Sequence, residues 1–257
     1  MTHSEHRAAI VDQFTKQAIP FSKLSGHSQA ESLQKVLELT EVNENDHVLD
    51  IACGTGIVSC AFAEMAQQVT GIDLTPAMIE QAKKLQQEKQ LRNLTWQIGD
   101  VLPLPFENDL FSLVVTRYSF HHFVNPQSVL AEMKRVCVPG GKIAVIDASP
   151  EFEKADAYNQ MEKLRDPSHT RALPFAELLS LFEQAELSIL NTDFYKVEME
   201  LEQQLKASFP NPGDEEKLHQ LFVEDLECDR LGVGTHQRDN SIHFAYPIAV
   251  IVGQKPA

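Results

Sequence analysis

Val48-Leu49-Asp50-Ile51-Ala52-Cys53-Gly54-Thr55-Gly56 joins a short apolar run to a turn of small residues. The run over 47–52 has the length of a buried strand and carries an acid, Asp50, near its end. Glycine tolerates tight turns and lets a backbone approach a ligand closely. A helix that opens after such a turn points its first N–H groups at whatever lies in front of it. Gly-x-Gly alone is a weak signal. A nicotinamide-type loop wants a third glycine three residues on, and Ser59 stands there.

Working outward, two further acids keep step with Asp50. Asp73 ends the strand-like run 68–73, and Asp100 follows the run 94–98. Acids at successive strand C-termini face one crevice, the place where open α/β sheets bind ligands, and an acid after the second strand can take two ribose hydroxyls. The rest of this half alternates in the same way. A helical pattern continues over 61–67. Residues 76–90 form a helix, with Thr75 as N-cap and Pro76 at its first position. Residues 111–116 read as a buried strand and 126–136 as a helix. Pro139-Gly140-Gly141 is a tight turn before a strand at 142–148. Strands separated by helices predict βαβ units and a doubly wound, Rossmann-like α/β sheet.

The pattern changes after 149. Helices are expected at 153–164 and 174–185 and a long strand at 188–199. Amphipathic helices follow at 201–208 and 215–227, parted by Pro210-Asn211-Pro212-Gly213, and a last strand at 243–252. The first 27 or so residues are polar with isolated aromatics, Phe14 and Phe21, which suits packing over something else. The expected organisation is one domain, 1–257, with a helical N-terminal cover (1–45), a ligand-binding core (46–149) and a substrate-side elaboration (150–241) that includes strand 188–199.

Composition narrows the function. Lysine and arginine number 22 against 37 aspartates and glutamates, a net charge of −15. A body this acidic repels phosphate backbones, so no nucleic-acid partner is expected. No apolar run approaches the ~18 residues of a membrane span, and 1–9 holds no apolar segment of the kind a secretory signal needs. Cys53, Cys60, Cys137 and Cys228 form no C-x-x-C pair, so neither zinc nor a redox motif is expected, and scattered thiols suit a cytoplasmic enzyme.

Four stretches carry a family resemblance. Asp50-Ile51-Ala52-Cys53-Gly54-Thr55-Gly56, Gly71-Ile72-Asp73-Leu74-Thr75-Pro76-Ala77-Met78, Gly99-Asp100-Val101-Leu102-Pro103-Leu104-Pro105-Phe106 and Arg117-Tyr118-Ser119-Phe120-His121-His122-Phe123 resemble the class I S-adenosylmethionine-dependent methyltransferases of the UbiE-like type. Pro139-Gly140-Gly141-Lys142 agrees with that pattern. The segment from Lys163 to Arg171 is similar to a narrower bacterial group, the YcgJ-like methyltransferases, from which no acceptor carries over. The resemblance implies a seven-stranded sheet with its last strand antiparallel, and S-adenosylmethionine as cofactor. It implies that Ala52, Gly54 and Gly56 let the backbone approach the methionine half, that Asp50 orders the loop, and that Asp73 takes the ribose. Leu74 and Met78 would flank the adenine, Asp100 and Val101 would meet its amino edge, and Arg117 would lie near the methionine carboxylate or the loop. Ala52 departs from the glycine many relatives have there.

Methyl transfer from a sulfonium needs orientation above all, and a base only where the acceptor must lose a proton. His121 is the expected base, since histidine titrates near neutral pH. His122, Arg165, His169 and Arg171 are the expected substrate contacts, and packing or loop-capping roles stay open for each. Neighbouring histidines on an α-helical start diverge by about 100°, so no metal site is expected. The helices over 201–227 suit a lid or a homodimer face alike. The acceptor is expected to be a small molecule. A nicotinamide oxidoreductase is disfavoured by Asp50, by Ser59 and by the lack of a Tyr-x-x-x-Lys pair. A tRNA or protein methyltransferase is disfavoured by the charge and by the lack of an Asn-Pro-Pro-Tyr-type motif. A cofactor-binding sensor without turnover is separated only by a turnover assay.

Overall fold

The computed structural model describes residues 3–23 and 27–257, except for the side chains of 3, 21–23 and 27–29. Phe21 therefore lies outside the described side chains. Two helices come first, α1 (His3–Lys23) and α2 (His27–Thr40). The wound core follows as β1 (His47–Ile51), α3 (Ile57–Ala63), β2 (Gln68–Asp73), α4 (Pro76–Glu88), β3 (Leu94–Ile98), β4 (Phe111–Arg117), α5 (Pro126–Val136) and β5 (Cys137–Ala148). The remainder is α6 (Ala155–Arg165), α7 (Phe175–Gln184), β6 (Ser188–Glu200), α8 (Leu201–Ala207), α9 (Asp214–Asp225), β7 (His236–Arg238) and β8 (Ser241–Gln254).

The strands form one sheet in the order β3-β2-β1-β4-β5-β8-β6. β3 through β5 run parallel, and β8 lies antiparallel between β5 and β6. These seven strands are those the sequence predicts. An eighth, β7, pairs with β8 through a hairpin whose turn residues, Asp239 and Asn240, have φ of 49° and 64°. Two positive φ angles are what a tight two-residue hairpin requires, and Asp and Asn tolerate them.

Alternation along the strands supplies two cores. Val48, Leu113, Val115, Ile146, Val250 and Val252 face a layer containing Phe62, Tyr158, Leu205 and Phe222. Leu49, Ile51, Val114, Val145 and Ile251 face the opposite layer, with Leu130, Met133, Leu178 and Phe182. Each such side chain, fully buried, contributes about 1.5–3 kcal/mol. The chain winds outward from β1 to β3, then returns to place β4 on the other side of β1. That reversal opens a crevice between the C-terminal ends of β1 and β4.

Three local expectations change. α3 begins at Ile57, directly after Gly56, and ends at Ala63 rather than running over 61–67. Pro139-Gly140-Gly141 lies within β5: the ladder passes from Phe111↔Cys137 to Leu113↔Lys142, so the strand swells by three extra residues and resumes. Thr75 stands at the N-cap of α4, but its hydroxyl makes no cap bond.

Candidate active site

The glycine turn is built by its own backbone. The Cys53 N–H donates to the Ile72 carbonyl at 3.0 Å, tying the turn to β2, and the Gly56 N–H donates to the Cys53 carbonyl at 3.0 Å. Gly54 and Gly56 have φ of +53° and +79°. A Cβ on Gly56 would lie 2.6 Å from Trp96 Cη2 and 2.8 Å from Ala82 Cβ, whereas one on Gly54 would meet nothing within 4 Å. Ala52 adopts φ 52° without glycine's freedom.

Asp73 clamps this turn to the next. Its Oδ2 accepts the Gly54 N–H and its Oδ1 the Thr75 N–H, both at 2.8 Å. Burial raises its pKa, and those two backbone donors pull against the rise. Asp50 is almost wholly buried and accepts the Ser59 hydroxyl at 2.5 Å. Burial pushes its carboxyl up to about 7 against that hydrogen bond. Asp100 turns one oxygen to the Val101 N–H at 2.7 Å and the other towards Arg7 at 3.6 Å.

A cavity of about 270 Å³ lies between these strand ends and α1. Ala52, Gly54, Asp73, Leu74, Met78, Asp100, Val101 and Arg117 all line it, so most of the expected cofactor residues are brought together. Asp50 and Gly56 are not among the lining residues. Asp50 stands behind the loop on Ser59, and Gly56 packs on Trp96 and Ala82. Arg117 donates to Ser32 Oγ at 2.7 Å and Tyr118 Oη at 2.9 Å, and its guanidinium sits 4.2 Å from the centre of the Tyr118 ring. Its Nε is buried without a partner.

The sequence reading expects a helical N-terminal cover but assigns none of its residues to the cavity lining. His6, Arg7, Ile10 and Phe14 of α1 line it, and no lining residue comes from 150–241. The signal was present: His6, Ile10 and Phe14 recur every four residues, one stripe on an otherwise polar helix.

The histidine pair divides differently from expectation. Phe120–His122 form a single 3₁₀ turn after β4. His122 lines the cavity; His121 does not. His121 faces Asp147 near the end of β5. Its Nδ1 lies 2.5 Å from Oδ1, and its backbone N–H donates to Oδ2 at 2.7 Å. Burial opposes protonation of His121, but the Asp147 carboxylate outweighs it and raises the pKa. His122 Nδ1 lies 3.1 Å from the Ser168 carbonyl oxygen. Burial, then the charge of His121, brings His122 down to about 4. Asp147 was legible as a fourth acid at a strand end, and was not read.

The other expected substrate contacts lie away from the cavity lining. Arg165 is buried against Glu162, with Nη2 2.6 Å from Oε2, and Tyr246 Oη donates to the same carboxylate at 3.0 Å. His169 is buried, with Nε2 2.7 Å from Asn159 Oδ1 and burial lowering its pKa. Arg171 forms a bidentate pair with Glu177 at 2.5 and 2.7 Å on the surface. Among the described residues no group of three or more His, Cys, Asp and Glu side chains is arranged to hold a metal ion, and no helix is long and apolar enough to cross a membrane.

Residues 49–145 match the family model for a methyltransferase domain. The chain is 28% identical over 247 residues to an uncharacterized methyltransferase, YcgJ, of Bacillus subtilis, covering 94% of this chain and 97% of that one. It is 34% identical over 140 residues to the uncharacterized protein YafE of Escherichia coli, covering 54% and 68%. The crystal structure of YcgJ superposes with a TM-score of 0.82 at 25% identity, covering 89% of this chain and 99% of that one. A putative methyltransferase from Bacillus halodurans gives 0.81 at 26% identity, covering 88% and 100%.

Proposed function

The chain belongs to the class I S-adenosylmethionine-dependent methyltransferases, and from that premise we propose that it methylates a small-molecule acceptor held in the cavity beneath α1. The observation that carries this reading is the state of the glycine loop. The Gly54 N–H, the donor that a dinucleotide pyrophosphate would need, is already taken by the Asp73 carboxylate. A phosphate there would meet a carboxylate, whereas a cation is welcome beside Asp73 and Asp100, which line the cavity.

The cavity fits the cofactor in its polar detail as well. Each Asp73 oxygen accepts one backbone donor and keeps a lone pair for a ribose hydroxyl. Arg117 lines the cavity and brings the positive charge that a carboxylate site requires, while its Nε is sealed from solvent. Leu74 and Met78 offer an apolar slot for the adenine, beside Asp100 and Val101. Bound there, S-adenosylmethionine supplies an electrophilic methyl group. The protein's work is then orientation, which in ideal cases supplies ~7–11 kcal/mol, and exclusion of water by Ile10 and Phe14 of α1, which strengthens every electrostatic contact inside.

Titration calorimetry with S-adenosylmethionine, S-adenosylhomocysteine and NAD tests the cofactor. Binding of the first two and not of NAD is expected; NAD binding alone would defeat the reading. A screen for S-adenosylhomocysteine release across phenols, thiols and amines then tests the acceptor class. Turnover on none of them, with the cofactor bound, would turn the reading towards a sensor.

A further inference from the structure

We propose that His122, through its Nε2, is the group that receives the acceptor's proton, and that the acceptor is an uncharged, apolar-bodied molecule presenting an O–H or S–H. This rests on the methyltransferase reading above and gives that reading a substrate class.

The tautomer of His122 is set twice over. Nδ1 lies 3.1 Å from the Ser168 carbonyl oxygen and 3.3 Å from the Ser168 hydroxyl oxygen. A carbonyl only accepts. The Ser168 hydroxyl has committed its hydrogen to Asp166 Oδ1, at 2.6 Å, so it too presents a lone pair. Nδ1 must therefore carry the hydrogen. A neutral imidazole has one N–H, and Nε2 is left as a bare lone pair. Burial and the neighbouring His121 keep the ring neutral at pH 7.

The ring is also held in place. The His122 N–H donates to the Ser119 carbonyl at 2.9 Å, and its own carbonyl accepts from His6 Nε2 at 2.8 Å. Phe14 meets the ring edge-on at 5.0 Å. Nε2 has no hydrogen-bond partner among the described residues, yet it is not one of the polar atoms sealed from solvent. A fixed lone pair open to a cavity is the arrangement a proton acceptor needs. His121 has its Nδ1 held by Asp147 in the same manner, but its side chain does not line the cavity.

The surrounding wall defines the acceptor. Phe14, Phe123, Val124 and Val129 are apolar, and Asn125, its side chain engaged by the Ser128 N–H, adds no charge. Of the two cations that line the cavity, Arg7 faces Asp100, and Arg117 is stacked on Tyr118. A phosphate or carboxylate on the acceptor would find no counter-charge left for it: Arg117 serves the cofactor's carboxylate, and the charge of His121 is met by Asp147 away from the cavity lining. In the proton step the acceptor's O–H or S–H bond breaks and its electron pair stays on the oxygen or sulfur. The proton forms an N–H on Nε2, and the imidazolium returns it to water as product leaves.

Histidine-selective ¹⁵N NMR, on the free protein and with S-adenosylhomocysteine bound, reads the tautomer directly. His122 is expected as the Nδ1–H form at pH 7; an Nε2–H form would overturn the proposal. Binding is then compared for 4-chlorophenol and 4-chloroanisole, which share a body and differ in the donor. On the S-adenosylhomocysteine-loaded protein the phenol should bind roughly tenfold tighter. The preference should vanish in His122→Phe and return in part in His122→Gln, whose amide oxygen still accepts. Equal affinities, or no binding of the phenol, would overturn the proposal even if both variants fail to fold, since that comparison uses the native chain. Failure of S-adenosylhomocysteine itself to bind would instead strike the methyltransferase reading, and the tautomer of the free protein keeps the two failures apart.

Discussion

Gly54 and Gly56 stand two residues apart in one turn, yet alanine at each should do different damage. At Gly56 two costs add. The backbone has φ +79°, a left-handed conformation that costs an L-residue about 1–2 kcal/mol. The new Cβ would also sit 2.6 Å from Trp96 Cη2 and 2.8 Å from Ala82 Cβ. Trp96 has nowhere to go. Its Nε1–H is held by Gln86 Oε1 at 2.7 Å, and its ring already covers Gly71, where a Cβ would come within 2.5 Å of Cζ3. Overpacking of this kind costs about 1–3 kcal/mol, so Gly56→Ala should lose roughly 2–5 kcal/mol in all, a large part of a typical ~5–15. At Gly54 the φ is +53° and no atom lies within 4 Å. Gly54→Ala should lose only the backbone strain of about 1–2 kcal/mol, but its methyl stands on a cavity-lining residue and should weaken S-adenosylhomocysteine binding. Urea unfolding gives the stabilities, with emission from Trp96, the chain's single tryptophan, reporting the local packing. Calorimetry gives the affinities. If Gly54→Ala proves the less stable variant, or Gly56→Ala unfolds like the native chain, the division of labour within the loop is wrong.

Three further outcomes are expected. Asp73→Ala should weaken S-adenosylmethionine at least roughly tenfold in calorimetry, since charge-assisted hydrogen bonds contribute about 1.5–3 kcal/mol; unchanged affinity would remove the ribose assignment. His122 has a folded pKa of about 4, below the ordinary 6.5, so between those values the unfolded chain takes up a proton that the folded chain resists. Stability therefore falls as pH falls through that window, and His122→Gln should flatten this limb of the denaturation profile by up to ~3 kcal/mol; an unaltered slope would contradict the buried neutral ring. Glu162→Gln strands the buried Arg165 charge and should cost about 3–5 kcal/mol in urea unfolding while leaving cofactor affinity alone; a variant of native stability would mean that Arg165 is free to serve elsewhere.

The sheet was legible because its signal is geometric. Period-2 alternation and short apolar runs mark β1 and β4, and acids at strand ends are visible as single letters. What escaped was decided by tertiary contact. The residues Ile57 and Val58 are β-branched and favour strands by propensity. They open α3 instead, because that turn of helix buries Val58 and its neighbours through Ala63 against the sheet. β7 has three exposed residues and no apolar pattern at all. It exists only because the Asp239-Asn240 turn lays it beside β8. The swelling in β5 is invisible for the same reason. Proline and two glycines predict a turn anywhere, and only the ladder to β4 shows that the strand resumes beyond them.

The site was legible in its acids and misread in its bases, and the difference lies in how direction is encoded. An acid at the end of a parallel strand can reach only the crevice or the next helix, so its order in the chain nearly fixes its target. A histidine in a single helical turn has no such constraint. In the 3₁₀ turn Phe120–His122, with three residues per turn, neighbours point about 120° apart, and nothing in the letters His-His says which faces inward. That choice is made by partners 26 and 46 residues away: Asp147 draws the His121 ring towards β5, and the Ser168 carbonyl holds His122. Arg165 shows the complementary limit. Its partner Glu162 stands three residues earlier, at ordinary ion-pair spacing on a helix, so the pair could be read from the sequence. Whether it lay at a substrate mouth or in the core could not, because that depends on Tyr246 and Ser208 arriving from elsewhere to complete its hydrogen bonds. The loop from Asp166 to Thr170 then acts on the cavity at one remove. It carries the Ser168 carbonyl that fixes the His122 tautomer, while Thr170 Oγ1 donates to the His121 carbonyl at 2.6 Å. A segment that sequence reading placed against the substrate instead orients the side chain that faces it.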